Sequence, residues 1–165
     1  MKIIFLRITS AVLLVLLMLS IFMMSGETAQ ESSETSRGFT YTLFSIFLPS
    51  FLEKSEAEQN KMLSNASFWI RKGAHFSLYF AMGVLSLLTV ISYRKLNLYL
   101  RLVISFLICV LYSASDEIHQ LFVEGRGGQI TDVLIDSTGA LLGVLLCFAI
   151  ILIICKKHKI GLKIP

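Results

Sequence analysis

Apolar and polar positions alternate along the chain in long blocks. Four apolar runs stand out: Ile8 to Met24, Ala74 to Ser92, about Leu96 to Ala114, and Val133 to Cys155. A helix needs about 20 mostly apolar residues to cross a hydrocarbon core of about 30 Å, so the pattern predicts four transmembrane helices. The first run follows Lys2 and Arg7 and is free of charge. Its apolar core exceeds the roughly 7 to 15 residues of a signal peptide, and Met23-Met24-Ser25-Gly26-Glu27 offers no Ala-x-Ala site, so an uncleaved anchor is expected. Residues 25–73 form the longest polar stretch. Inside it, residues 39–52 make an apolar insert that ends around Pro49, too short to span and read as an interfacial or re-entrant segment. Ser55-Glu56-Ala57-Glu58 has capping-box spacing and predicts the start of a helix leading into the second span. Arg101 falls near the start of the third run and is expected to snorkel.

Composition turns this pattern into a class. The chain of 165 residues is 55% hydrophobic and 16% charged, more apolar than one buried core requires, so the surplus must face lipid. An all-α membrane protein with a single domain over residues 1–165 is expected. Cys109, Cys147 and Cys155 lie in or at the end of apolar runs, which argues for packing and against a disulfide framework.

The net charge of +4 matters less than its placement. Nine of the 15 Lys and Arg residues (Lys2, Arg7, Arg94, Lys95, Arg101, Lys156, Lys157, Lys159 and Lys163) fall in the termini and the connection between the second and third spans. All 11 Asp and Glu residues fall on the other side. Short basic segments stay in the cytoplasm, so both termini are expected inside and residues 25–73 and 115–132 outside. A basic balance arranged this way implies a membrane and no nucleic-acid partner. His158, among lysines, reads as a solvated tail residue.

Three constellations on the outer side carry candidate chemistry. Arg71 and His75, four apart at the start of the second span, share a helix face that continues through Tyr79, Gly83 and Ser86. Such a stripe turns toward other helices, because polar groups facing lipid are costly and small residues let helices approach. Past the third span come Asp116-Glu117-Ile118-His119-Gln120. On a continuing helix Asp116, His119 and Gln120 converge, while Glu117 points elsewhere with Ser113. The following Gly125-Arg126-Gly127-Gly128 has glycines able to take positive φ and expose successive amides to an anion, with Arg126 as a bidentate donor. The third set is Asp132 and Asp136, followed by Gly139 and Gly143 in a G-x-x-x-G helix-contact spacing. Asp136, one turn into an apolar run, needs a partner or a wet cavity, and Arg126, Arg71 or a protonated His75 are the candidates. Lys72 reads as an interfacial anchor.

His75, Asp116, His119, Asp132 and Asp136 are residue types that bind divalent ions, although their spacing matches no zinc motif. With Glu117 they are also the candidate acids and bases of a hydrolase. There is no G-x-S-x-G, no Cys-His pair in reach and no P-loop, so serine, thiol and nucleotide chemistry have no footing.

These residues resemble the VanZ-like family of bacterial membrane proteins. The likeness rests on Gln30-Glu31-Ser32-Ser33 within residues 25–36, Arg71-Lys72-x-Ala74-His75-Phe76 with Tyr79, and Asp116-Glu117-Ile118-His119-Gln120-Leu121-Phe122 followed by Gly125-Arg126. It closes with Asp132-Val133-x-x-Asp136-x-x-Gly139, and it covers most of residues 20–145. The family is named for a protein linked to resistance to the glycopeptide teicoplanin, so the resemblance implies a protein of the bacterial cytoplasmic membrane and cell envelope. Gly73 stands where a larger apolar residue is more usual, and closer helix packing is expected there.

The expected function is an outer cavity that binds an anionic lipid or cell-wall group through Arg71, His75, Asp116, Glu117, His119, Gln120, Arg126, Asp132 and Asp136. Membrane lipid, a lipid-linked or cell-wall precursor, or a glycopeptide are the partners this allows. One alternative is a metal-dependent enzyme acting on an envelope lipid or its head group. Another is a structural partner that packs through Gly139 and Gly143 against a second membrane protein, with an oligomer possible.

Overall fold

The computed structural model describes residues 2–93 and 95–157. Arg94, His158, Lys159 and Lys163 of the expected basic segments lie outside the described residues. The order is α1 (Lys2–Ser25), α2 (Ala29–Phe47), a 3-10 turn (Pro49–Phe51), α3 (Glu56–Val90), α4 (Leu98–Gln120) and α5 (Ile130–Lys157), and no strand occurs among the described residues. Helices α1, α3, α4 and α5 are long and apolar enough to cross a membrane.

Local signals set the helix ends. Ser55 accepts from the Glu58 amide while Glu58 accepts from Ser55, the capping box read from the sequence. A second box, Thr28 with Glu31, starts α2 and went unread. Asn97 accepts from the Leu100 amide at 2.8 Å and starts α4. The expected boundaries shift accordingly. The second span is one continuous helix from Glu56, the third runs on through Gln120, and the fourth begins at Ile130.

The 35 residues of α3 give a rod of roughly 50 Å, longer than a hydrocarbon core of about 30 Å. Its first half carries α2 as a hairpin arm. Arg37 donates to Asn60 at 2.9 Å, and Thr40, Leu63 and Ser67 are buried. The apolar insert at residues 39–52 is thus the second half of α2 and the turn after it, with helix geometry broken at Leu48 ahead of Pro49. Phe51 closes the arm, fully buried against the edges of Tyr41 and Phe44.

The bundle centres on α3 and α5, which run parallel. Gly139 lies against the Phe76 carbonyl, Gly143 against that of Phe80, and Gly83 against that of Ala140. A Cβ at any of the three would overlap carbonyl oxygen, so only glycine permits this approach. The G-x-x-x-G face is therefore covered by α3 within the chain, which removes the basis for using it on a second protein. Gly73 is different: it is exposed, and a Cβ there would meet nothing within 4 Å, so the expected close packing does not occur.

Helix α4 completes the bundle with a buried stripe, Arg101, Ser105, Cys109, Ser113, Asp116 and Gln120, at steps of three and four. Ser86 of α3 donates to the Ser105 carbonyl at 3.0 Å. Arg101 does not snorkel; it is only 5% exposed. Tyr112 donates to the Met18 carbonyl of α1, and Thr89 of α3 donates to Ser10 of α1. The cysteines are free, as the apolar setting implied. These contacts place the start of α1 beside the α3–α4 connection, where Arg7 stacks over Tyr93. The polar candidates gather at the opposite end.

Candidate functional site

At that opposite end, the last turns of α4 meet α1, α3 and the connection into α5. Asp116, 3% exposed, accepts from the Ser25 hydroxyl at 2.8 Å and from Gln120 Nε2 at 3.3 Å through the same oxygen. Its other oxygen is buried without a hydrogen-bond partner. Glu117 accepts from the Gln129 amide at 2.8 Å, and Gln120 bridges the two carboxylates by also reaching Glu117 at 3.5 Å. Glu117 thus faces inward with Asp116, contrary to the helical-face expectation. The end of α4 is packed on several sides, so its buried sector is wider than one face.

Asp136 sits one turn deeper, 1% exposed, and accepts from the Ser113 hydroxyl at 3.2 Å. None of Arg126, Arg71 and His75 forms an ion pair with it among the described residues. Tyr79, fully buried, lies beside Ser113 and within electrostatic reach of Asp116 and Asp136. His119 leans the other way, its ring centroid 4.4 Å from that of Phe22. His75, half-buried, lies among Asp116, Arg126, Asp132 and Lys72.

Above the carboxylates opens a cleft of about 190 Å³, lined by Arg71, Lys72, Arg126 and Gln120 among others, with Phe68 at its side. Lys72 is ion-paired with Asp132 and also lies 5.4 Å from the Phe68 ring centroid. Arg71 and Arg126 have no carboxylate within 4.0 Å among the described residues. Burial, and then the Arg71 guanidinium beside it, press Arg126 below the ordinary arginine pKa. Two cations on one cleft, neither with a carboxylate within 4.0 Å, repel each other, although Glu27, Asp116 and Glu117 offset part of this at Arg126 from farther away.

The connection that carries Arg126 is held on either side of it, by the Gln129 amide on Glu117 after it and by Glu124 and Gly125 before it. Gly125 takes φ +72°, where a side chain is strained, and the Ala29 amide of α2 donates to the Glu124 carbonyl at 3.1 Å. Successive glycine amides do not form the expected anion nest. Gly125 is the sole glycine with positive φ among the described residues, and the Arg126 amide is taken by the Val123 carbonyl. The cationic groups on the cleft are side chains, Arg71, Lys72 and Arg126.

A model of the VanZ/LLP1 family matches residues 10–153. The chain belongs to the VanZ/LLP1 family. No curated protein and no solved structure matches it. In this VanZ/LLP1 chain the matched region includes every residue of the cleft and of the carboxylate group beneath it.

Set against the sequence reading, the VanZ/LLP1 bundle brings Asp116, Glu117 and Gln120 together and places Arg71 and Arg126 on one cleft. It draws His119 and Asp136 away from that cleft and ties Asp132 to Lys72. No three described His, Cys, Asp or Glu side chains gather closely enough to hold a metal ion. The candidate metal set therefore does not converge, because its members answer to different neighbours. Lys72, Ser25, Ser113 and Gln129 are the participants that sequence reasoning missed. Ser25 and Ser113 are ordinary serines in sequence, and only the crossing of helices reveals their partners. Lys72 had one available signal, its position beside Arg71 at a span entrance where a second-helix aspartate could meet it.

Proposed function

We propose that this protein is a cell-envelope membrane protein whose cleft faces away from the cytoplasm, binds an anionic lipid or cell-wall group, and thereby alters sensitivity to glycopeptides such as teicoplanin. One observation carries the reading: Arg71 and Arg126, from different elements, open on the same cleft with no carboxylate within 4.0 Å. Guanidinium groups present planar forks suited to phosphate and carboxylate oxygens. The orientation is supported by charge, since Arg7, Lys95, Lys156 and Lys157 lie toward the other end and every acidic residue toward this one. The exposed Phe39, Ile46, Phe47 and Leu52 of the α2 arm suit a membrane surface.

The test is expression in a glycopeptide-sensitive bacterial host. The wild-type chain is expected to raise the teicoplanin concentration needed for inhibition, and Arg71→Gln and Arg126→Gln each to abolish that rise at unchanged protein level. A wild-type effect that survives both substitutions, or no wild-type effect, would reject the role in resistance. Direct anion binding is measured separately below.

A further inference from the structure

The height of the cleft in the bundle bears on its ligand. Arg71 stands 19 residues before Val90 on α3, roughly 29 Å along a straight helix and about one hydrocarbon thickness from the opposite end. The cleft therefore lies at headgroup depth. At the same level Trp69 is 71% exposed, Phe122 84% and Ile130 81%, large apolar groups left mostly open, with Trp69 standing edge-to-face with Phe68. Aromatic side chains so placed suit the interface, and acyl chains are the natural cover for this surface.

Charge narrows the choice further. Of the three cations on the cleft, Lys72 is neutralised by Asp132, leaving Arg71 and Arg126. Asp116 and Glu117 act on Arg126 from beyond 4.0 Å, Asp116 bonded through one oxygen to Ser25 and Gln120 and Glu117 to the Gln129 amide. Glu27 acts on Arg126 at a distance without forming an ion pair. Two guanidinium forks offer two positive charges and two bidentate faces. A terminal phosphate carries about −1.5 to −2 at pH 7 and three acceptor oxygens, matching both. A phosphodiester carries one charge and two free oxygens, and leaves one fork unsatisfied. The volume of about 190 Å³ falls below the roughly 300 Å³ at which pockets for drug-sized ligands begin, so the cleft takes a small head group and excludes a whole glycopeptide.

We infer, building on the anion-binding reading of the cleft, that its ligand is a terminal phosphate borne on a lipid chain, selected over the phosphodiester headgroups of ordinary glycerophospholipids. The phosphate lies between Arg71 and Arg126, and its chain descends along the exposed apolar surface beside them.

The experiment uses the full chain in neutral phosphatidylcholine nanodiscs or mixed micelles, titrated with phosphatidic acid as the terminal-phosphate probe and phosphatidylglycerol as the phosphodiester probe. Native mass spectrometry counts bound lipid. Phosphatidic acid is expected to bind about tenfold or more tighter, and Arg126→Gln or Arg71→Gln to lower its affinity about tenfold to a hundredfold. Arg126→Lys, which keeps charge but loses the fork, is expected to fall between. Equal binding of the two lipids, with both weakened by Arg126→Gln, would overturn the terminal-phosphate selection and leave anion binding standing. No preference for either probe over phosphatidylcholine would overturn both. Inorganic phosphate that binds as tightly as phosphatidic acid would overturn the lipid-borne part. The lipid comparison is made on the wild-type chain and does not depend on any variant folding.

Discussion

Ser25 ends α1 by donating to Asp116, and that one bond ties the first helix to the carboxylate pair of α4. Asp116 already has one oxygen without a partner, so the Ser25 hydroxyl is a large part of what keeps its buried charge satisfied. Ser25→Ala is expected to destabilise the protein by about 1–3 kcal/mol, the cost of a buried acceptor losing its donor. The control is Ser20→Ala, whose exposed hydroxyl only bonds back to Leu16, with a change expected within about 0.5 kcal/mol. Thermal unfolding in detergent measures both, and equal effects would show that the bond to Asp116 contributes nothing special. At this scale the sequence was informative about residue types and poor about partners. That Asp136 must have a polar neighbour followed from its place in an apolar run, but Ser113 as that neighbour did not. Serine is common in membrane helices, and its usual habit of bonding to its own helix backbone hides the cases where it reaches across.

Among the elements, the α3–α5 contact is the most demanding, because three glycines bring two backbones together where no side chain fits. Gly139→Val and Gly143→Val are each expected to force the helices apart and cost more than the roughly 1–3 kcal/mol typical of overpacked cores. Gly73→Ala is the contrast. It sits on an exposed helical position with open space around it, so it is expected to be neutral or to stabilise by about 0.5–1 kcal/mol through the better helix propensity of alanine. Melting temperatures of the three variants in one detergent decide the matter, and a tolerated Gly143→Val would refute the close approach. The spacing of Gly139 and Gly143 announced a helix contact correctly. It was silent about the partner, since a small-residue stripe fits any helix that offers a matching backbone. For Gly73 family likeness suggested packing, and the exposed face of α3 shows none.

At the scale of the molecule, the separation of charge between the two ends predicts which loops meet the outside. Gly127→Cys, at an open position on the α4–α5 connection, is expected to react with a membrane-impermeant maleimide in intact cells. Lys95→Cys is expected to react only after permeabilisation, both variants being made on a Cys155→Ser chain because Cys109 and Cys147 are buried and Cys155 is only partly so. The reverse pattern would invert the orientation and place the cleft in the cytoplasm. Four spans, their order, the capped start of α3 and the acidic and basic ends were all determined by the sequence alone. They depend on local or one-dimensional quantities: the length of apolar runs, spacing within a turn, and the sum of charge in each connection. The tertiary structure alone decided that Arg101 is buried, that Glu117 turns inward, that Lys72 neutralises Asp132, and that Arg71 and Arg126 share a cleft with no carboxylate within 4.0 Å of either. Those facts turn on which helices lie side by side and at what height. Pairing across 60 residues, as between Lys72 and Asp132, leaves no periodic trace in the chain that makes it.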